Sequence, residues 1–275
     1  MALTRILKPI IPPLLWNIGK NLKRRLFRSV DHFAYATEGW STRLPESATS
    51  HDYWRSSVAR ERSACEALIA RVQAHEPSLT ADADVKHALF GYVLARAGRN
   101  QDRLTVLDYG GNLGDYYWLA TAFMPAVDLE YHCKELPPVA AAGRALSPAV
   151  IWHTDDGCLA TVYDLVMFSS SLQYLENWRD VLTRAARSVR GYLFLSDVPT
   201  VRNVPSYVVT QRSGGMTTLQ YQLNHREIVE TVQAAGLNLI HEFNLGAHPP
   251  VEKAPEQPVC VGLLFQPISN TGSTR

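Results

Sequence analysis

Only four of the 275 residues are cysteine, and no two of them form a C-x-x-C pair. Cys65, Cys133, Cys158 and Cys260 are scattered along the chain, which argues against a zinc ribbon or a disulfide scaffold and points to a reducing compartment. No apolar run approaches the ~20 residues of a membrane-spanning helix. "KPIIPPLLWNIGK" comes nearest, but lysines flank it and two adjacent prolines split it. No small-x-small cleavage site follows, so a secretory signal is a poor reading. Internal repeats are absent. The net charge is +1, which says little by itself.

Apolar residues are 46% of the chain and charged residues 19%, the balance of an ordinary globular protein with a packed core. The charge is unevenly placed. Residues 1–30 carry seven basic groups and no acid, and the other 245 carry 20 basic and 26 acidic groups. In "LLWNIGKNLKRRLF", Leu14, Leu15, Ile18, Leu22 and Leu26 fall at helical spacing with Lys and Arg between them. Such a helix suits an anionic membrane surface; equally, it suits docking on the protein's own body or on a second subunit. Nucleic acid is a weaker reading, because the body is acidic and the aromatics are not interleaved with the charge.

"HFAYATEGWSTRLPESATS" reads as irregular. A helical pattern follows, in which Val58, Arg62, Cys65, Leu68, Ile69 and Val72 share a face and Ser50 or Asp52 caps the start. "DVKHALFGYVLARAG" reads as a second helix, with Gly98 at C′. Strands are then predicted at "LTVLDYG", "VDLEYHCKE", "VIWHT", "DLVMFSS", "GYLFLSD", "LNLIHEFN" and "VCVGLLFQ", with helical segments between the first six. That alternation predicts βαβ units. The Pro-rich "GAHPPVEKAPEQP" joins the last two strands, which are read as an antiparallel pair. The expected fold is α/β: a Rossmann-like, seven-stranded, mostly parallel sheet with helices on both faces and an N-terminal helical extension. The expected organisation is a basic arm over 1–45, a helical cap over 46–100, the α/β domain over 101–268 and a disordered tail over 269–275.

"TVLDYGGNLGDYYW", residues 105–118, carries the chemistry. Asp108 ends the first strand of that sheet, and ligands bind outside the carboxyl ends of such strands. Gly110 and Gly111 permit backbone angles closed to other residues. Asn112 tolerates positive φ, Gly114 lets the next helix pack close, and Asp115 is placed to cap that helix. A tight turn with no ligand is one reading. A dinucleotide cradle is another, but G-x-G-x-x-G/A puts Asp115 at its last position, where a pyrophosphate has to approach a helix N-terminus. The spacing is D-x-G-x-N-x-G. Glu135, after the second strand, is placed to accept from ribose hydroxyls. Asp155 or Asp156, in "HTDDG", can take an adenine amino group or simply cap a turn.

The D-x-G-x-N-x-G spacing resembles the first motif of class I S-adenosylmethionine-dependent methyltransferases, with Asn112 replacing the central glycine. The S-S-S-L-Q-Y-L run in "DLVMFSSSLQYLENW" narrows the resemblance to a group of methyltransferase-like proteins from bacterial polysaccharide and O-antigen gene clusters. "LDYGGNLGDYY", "KELPPVAAAGRAL", "IPPLLWNIGK" and "YATEGWSTRLPESA" are similar to that group's segments. The chain departs from it at "SDVPT", where Val198 replaces an arginine, and at "YVVTQRSGGMTTLQYQLNH", a region expected to shape the acceptor pocket.

The resemblance implies S-adenosylmethionine as cofactor, held by Asp108, Gly110, Gly111, Asn112, Gly114, Glu135, Asp155, Asp156, Ser169, Ser170 and Gln173. Tyr174 is expected at the acceptor. Asp197, at the end of the fifth strand, and His225, opening the last helix, are candidate proton acceptors, each equally readable as a cap. No acid cluster calls for a metal. The expected reaction is O-methylation of a sugar or lipid-linked glycan in the cytoplasm, with the basic arm at the inner membrane face. The alternative is a non-catalytic cofactor-binding or assembly subunit. The expected partners are a small-molecule or glycan acceptor, a membrane surface and a second copy of the chain, with no nucleic acid.

Overall fold

A computed structural model describes residues 31–42, 50–74, 85–213 and 216–268. Residues 1–30 of the expected basic arm and the expected tail lie outside them, whereas residues 32–35, placed in the arm, form a strand of the sheet. In chain order the elements are β1 (His32–Tyr35), α1 (Ser50–Gln73), α2 (Val85–Ala97), β2 (Arg103–Tyr109), α3 (Asp115–Phe123), β3 (Asp128–Lys134), α4 (Pro137–Leu146), β4 (Ile151–His153), β5 (Tyr163–Ser169), α5 (Trp178–Arg187), β6 (Val189–Val201), β7 (Tyr207–Ser213), β8 (Met216–Asn224), α6 (His225–Ala234), β9 (Leu237–Ala247), β10 (Val251–Glu252) and β11 (Val259–Pro267).

Seven of these strands form the main sheet in the order β4-β3-β2-β5-β6-β11-β9. The first five run parallel, and β11 is antiparallel to both β6 and β9. All seven are the strands read from the sequence. β5 shows why they were legible: "YDLVMF" is buried along its whole length, as a central parallel strand covered on both faces must be.

One face packs Phe90, Val93 and Leu94 of α2 and Leu119 of α3 on Val106, Tyr131, Leu165 and Met167. The other packs α5 and α6 on Leu107, Val166, Phe168, Leu193 and Leu195. In α5 the buried residues are Trp178, Val181, Leu182, Ala185 and Ala186, an i, i+3, i+4, i+7, i+8 stripe that amphipathic packing requires. Cys65 of α1 is buried beside Leu113 and Val139, with Val58 and Ile69 packed around it. The four cysteines are free thiols.

Three expectations are corrected, the third being the strand count: the sheet has eleven strands among the described residues, not seven. "HFAY" is not irregular but a strand, β1. Gly98 follows α2 without positive φ, the left-handed residue being Asn100 at 61°; a Cβ at Gly98 would lie 2.3 Å from Met124 Cε, so the glycine serves close packing. Residues 207–224 form a hairpin, β7–β8, paired antiparallel over seven positions and flanked by β1 and β10. β6 runs on past the main sheet and pairs in parallel with β8 through Thr200 and Val201, which makes this ribbon continuous with the sheet.

The amino ends of the central strands are tied by one carboxylate. Asp164 of β5 accepts from Arg190 Nε (2.6 Å) and Nη2 (2.8 Å) on β6, and from the Thr105 amide and hydroxyl (2.8 Å each) on β2. Burial alone would raise its pKa, but these donors outweigh it and hold the carboxyl below its usual value. Asp164→Asn is expected to cost about 1.5–3 kcal/mol, as lost charge-assisted hydrogen bonds do. Because the folded pKa is depressed, the contribution is present at neutral pH and fades as pH falls below about 3.8. Thermal melts of the two proteins are therefore expected to differ at pH 7 and to converge in acid.

Candidate functional site

The carboxyl ends of β2, β3 and β5 meet at the glycine turn, and β6 reaches the same edge at Asp197, four residues before it ends at Val201. Asp108 is fully buried and shares a sheet face with Val106, toward α3. Its Oδ2 accepts from the Tyr131 hydroxyl (3.0 Å), and its Oδ1 has no partner among the described residues. Burial pushes its pKa up to about 7; the Tyr131 bond opposes this, and the nearby Glu135 and Asp115 add to it.

The turn is built around that carboxyl. Gly110 has φ +80°, and a Cβ there would lie 2.4 Å from Ser171 Cβ; a Cβ on Gly111 would lie 2.4 Å from Asp108 Oδ2. Asn112 is left-handed at φ 52°, and Gly114 at φ 87° is the N-cap of α3. Asp115 is thus the first helical residue and not the cap. Burial raises its pKa, although Cys65 and Asn112 hydrogen-bond to it. It stands in the first turn of α3, where a dinucleotide pyrophosphate would have to approach the helix N-terminus.

Glu135 braces the turn from β3. One of its oxygens accepts from the Asn112 amide (3.0 Å), the other from the Leu136 amide (2.7 Å). A carboxylate oxygen takes two such bonds, so each retains a free position for a hydroxyl. Burial raises its pKa, and the two amides hold the rise in check.

The two acids after β4 divide their roles. Asp156 is bound inward: Tyr109 donates to it (2.5 Å), and Lys134 and Arg184 stand 3.7 and 3.9 Å away. Asp155 is exposed, and its carboxylate accepts from the Gly157 amide (2.8 Å). Of the pair, Asp155 is the acid open to a ligand.

Each serine of the "SSS" run ties the end of β5 to a different element. Ser169 Oγ lies 3.0 Å from the Tyr116 hydroxyl of α3, Ser170 donates to Asp197 Oδ2 of β6 (2.5 Å), and Ser171 donates to the Tyr109 carbonyl of β2 (2.5 Å). Five non-glycine residues have positive φ among the described residues, and three of them, Asn112, Ser170 and Asp197, are here. Strain of this kind collects at functional sites. For Asp197 the cause is visible: the β6–β11 register shifts between Val261 and Leu263, so Ser196 and Asp197 oppose Gly262 alone in a bulge that re-aims the acid.

Asp197 is committed. Lys86 Nζ of α2 lies 2.8 Å from its Oδ2, on the oxygen that Ser170 also uses. Burial pulls its pKa up, but Lys86, Ser170 and Cys260 outweigh this and hold it below the usual carboxylate value. A carboxylate so paired takes a proton poorly, which weighs against Asp197 as a base. His225 stands elsewhere: its Nε2 lies 3.0 Å from Glu242 Oε2, and Glu242 also accepts from Arg202. Among the described residues, neither partner is hydrogen-bonded to the glycine turn. Asn224, not His225, caps α6.

Gln173 is 5% exposed, in a short helical turn after β5, with its Oε1 unpartnered among the described residues. Tyr174 beside it donates to Gln211 Oε1 (2.8 Å), and Gln211 Nε2 donates to Asp31 (3.0 Å). Sequence reasoning missed His248, placed in the Pro-rich connector. Its Nδ1 lies 2.6 Å from the Pro249 carbonyl and must donate there, which fixes the tautomer with Nε2 bearing the lone pair. Its ring meets Phe33 edge-on at 4.6 Å. Burial lowers its pKa against the pull of the Pro249 carbonyl, Asp197 and Asp31. The signal available was a histidine followed by two prolines in a loop between paired strands.

No family model and no curated protein matches the chain. Among solved structures, the 1,6-didemethyltoxoflavin-N1-methyltransferase of Burkholderia thailandensis, solved with its substrate and S-adenosylhomocysteine, is 14% identical with a TM-score of 0.50, the match covering 88% of this chain and 97% of that one. An amino pentose methyltransferase of Micromonospora echinaspora with bound S-adenosylmethionine gives 17% identity, 65% and 91% coverage, and a TM-score of 0.44. An S-adenosylmethionine-dependent methyltransferase of Clostridium acetobutylicum gives 10%, 68% and 93%, and 0.46. The first likeness is one of fold: the chain has the Rossmann-like architecture of that methyltransferase.

Proposed function

We propose that the protein is an S-adenosylmethionine-dependent methyltransferase acting on a hydroxyl of a sugar or lipid-linked glycan. The observation that carries this reading is the turn at Gly110–Gly114, closed over a buried acid with one empty oxygen and braced by Glu135. The donor set fits the cofactor. It is acidic and free of phosphate-binding character, and the cofactor's methionine end is cationic. Asp108 would face the ammonium end, Glu135 the ribose hydroxyls and Asp155 the adenine amino group.

S-adenosylmethionine supplies an electrophilic methyl on a sulfonium centre when bound. The chain's part is alignment, exclusion of water and removal of one proton. Ser169, Ser170 and Ser171 fix the loop between cradle and acceptor side. Lys86 holds Asp197 in its bulge, so the carboxylate orients neighbours instead of taking the proton. His248 Nε2, with its lone pair set by Pro249, receives the acceptor's hydroxyl proton. His248→Gln is expected to lower turnover by roughly 10²–10⁴-fold, as loss of a general base does, with cofactor affinity unchanged. In the native protein the acid limb of the rate is expected below the ordinary imidazole value of ~6.5, since burial depresses His248. That limb disappears in the variant.

The test is transfer of a labelled methyl from S-adenosylmethionine to a panel of methyl glycosides, with catechol as a phenol comparison. Label in a glycoside, matched mole for mole by S-adenosylhomocysteine, is expected. Cofactor binding with no S-adenosylhomocysteine from any acceptor would favour the non-catalytic subunit.

A further inference from the structure

Three residues behind the adenosine end of the cradle touch one another. Tyr109 stands one residue before Gly110, Lys134 one before Glu135 and Asp156 one after Asp155. Each is thus the chain neighbour of a residue assigned to the cofactor. Lys134 of β3 is in register with Tyr109 of β2 and, on its other side, with His153 of β4, so these side chains share a sheet face. Tyr109 shows which face it is. Its ring stacks on Phe168 at 4.8 Å and packs with Leu107 on the side that α5 covers, away from Asp108.

The contacts among the three are close. The Tyr109 hydroxyl donates to Asp156 Oδ1 (2.5 Å). Burial and that carboxylate both push the hydroxyl's pKa up, so it stays a donor. Lys134 Nζ stands 3.7 Å from the same oxygen and 4.5 Å from the centre of the Tyr109 ring. The lysine side chain is only 14% exposed. An ammonium so enclosed needs a partner, and the carboxylate and the ring face supply two. From α5, Arg184 donates to the Asp156 carbonyl (2.8 Å). Asp156 is therefore held by β2, β3 and α5 together. The carboxylate of Asp155 follows its neighbour, because it folds back on the Gly157 amide, and a Cβ on Gly157 would lie 2.8 Å from Asp155 Oδ1.

Folding alone does not ask for an ion pair here, since well-packed apolar residues often replace an enclosed pair without loss of stability. What polar contacts add is direction, because a hydrogen bond fixes an angle as well as a distance. We propose that Tyr109, Lys134 and Asp156 are positioning residues, which lock the adenine loop against the glycine turn and the ribose acid and so set how strictly Asp155 tells adenine from hypoxanthine. Adenine's amino group donates to a carboxylate, whereas hypoxanthine presents a carbonyl lone pair at the same place. The penalty for the wrong base is large only while the carboxylate is unable to swing aside. The proposal rests on the methyltransferase reading above.

The test is calorimetric titration of the full chain with S-adenosylhomocysteine and, separately, with S-inosylhomocysteine, in which hypoxanthine replaces adenine. The readout is the ratio of the two affinities, which a loss of stability alone would leave in place. The native protein is expected to prefer the adenosyl ligand by roughly tenfold or more, the worth of one hydrogen bond to a charged group. Tyr109→Phe keeps the ring stack and removes only the hydroxyl. It is expected to weaken the adenosyl ligand, to leave the inosyl ligand little changed and so to bring the ratio toward one. Lys134→Met gives the same reading should that variant fail to fold. Glu242→Gln, in the far ion cluster, is expected to keep the native ratio. A native ratio retained in both Tyr109→Phe and Lys134→Met overturns the proposal, whether or not both affinities fall together. So does a native protein that binds the two ligands equally well. If neither ligand is bound by the native protein, the methyltransferase reading falls as well.

Discussion

Replacing Asp108 with asparagine is expected to make the protein more stable at pH 8 and unable to hold its cofactor. Asp108 is fully buried with one oxygen unpartnered, and its pKa stands near 7 against 3.8 in the open chain. Between those values the folded state keeps a proton that the unfolded state releases, so native stability falls as pH rises through the window. Above pH 7 the buried charge is borne in full. Asp108→Asn removes it, and the gain at pH 8 is expected to be about 1–4 kcal/mol, the upper figure being the whole shift converted to free energy. The advantage is expected to shrink toward pH 4.

The same variant loses the charge that would face a cationic ligand. At a separation of ~4 Å and an effective dielectric of ~20, that attraction is worth about 4 kcal/mol. Cofactor affinity is therefore expected to drop by roughly 100-fold or more. In the native protein affinity for S-adenosylmethionine is expected to weaken below pH 7, by up to about tenfold per unit, because the cation requires the ionised carboxylate. Melting curves at pH 5 and pH 8, read beside binding at both, check all three statements. A variant that gains stability and keeps its affinity would remove Asp108 from the site.

Gly110→Val is the second large effect. At φ +80° a β-branched residue is strained, and the new Cβ would lie 2.4 Å from Ser171 Cβ. Left-handed strain costs about 1–3 kcal/mol, and overpacking costs a similar amount. Ser171 cannot yield cheaply, because its hydroxyl ties β5 to the Tyr109 carbonyl. A melting temperature lowered by several degrees is expected, together with loss of cofactor binding. Normal stability and binding would show that the close approach of the two loops is dispensable.

The seven strands of the main sheet were legible because each is a short apolar run separated by a helical pattern, and parallel strands buried on both faces must read that way. The glycine turn was legible for a related reason: only glycine and asparagine occupy its left-handed positions. The β7–β8 ribbon was not. One of its faces sets Gln211, Thr218, Gln220 and Gln222, all buried, beside Tyr207 and Val209, which breaks the apolar alternation that marks a strand. Asp197 misled because its character is set by Lys86, which lies 111 residues away in sequence. His225 misled because opening a helix says nothing of which edge of the sheet that helix faces. His248 was passed over because the prolines after it read as a connector, although the Pro249 carbonyl holds its Nδ1.

The most direct measurement is calorimetric titration of the purified protein with S-adenosylmethionine and, separately, with NADH. The account predicts that S-adenosylmethionine binds one per chain, more weakly as pH falls below 7, and that NADH does not bind, because Asp115 occupies the helix N-terminus a pyrophosphate needs. Tight NADH binding, or no binding of S-adenosylmethionine at any pH, would contradict it.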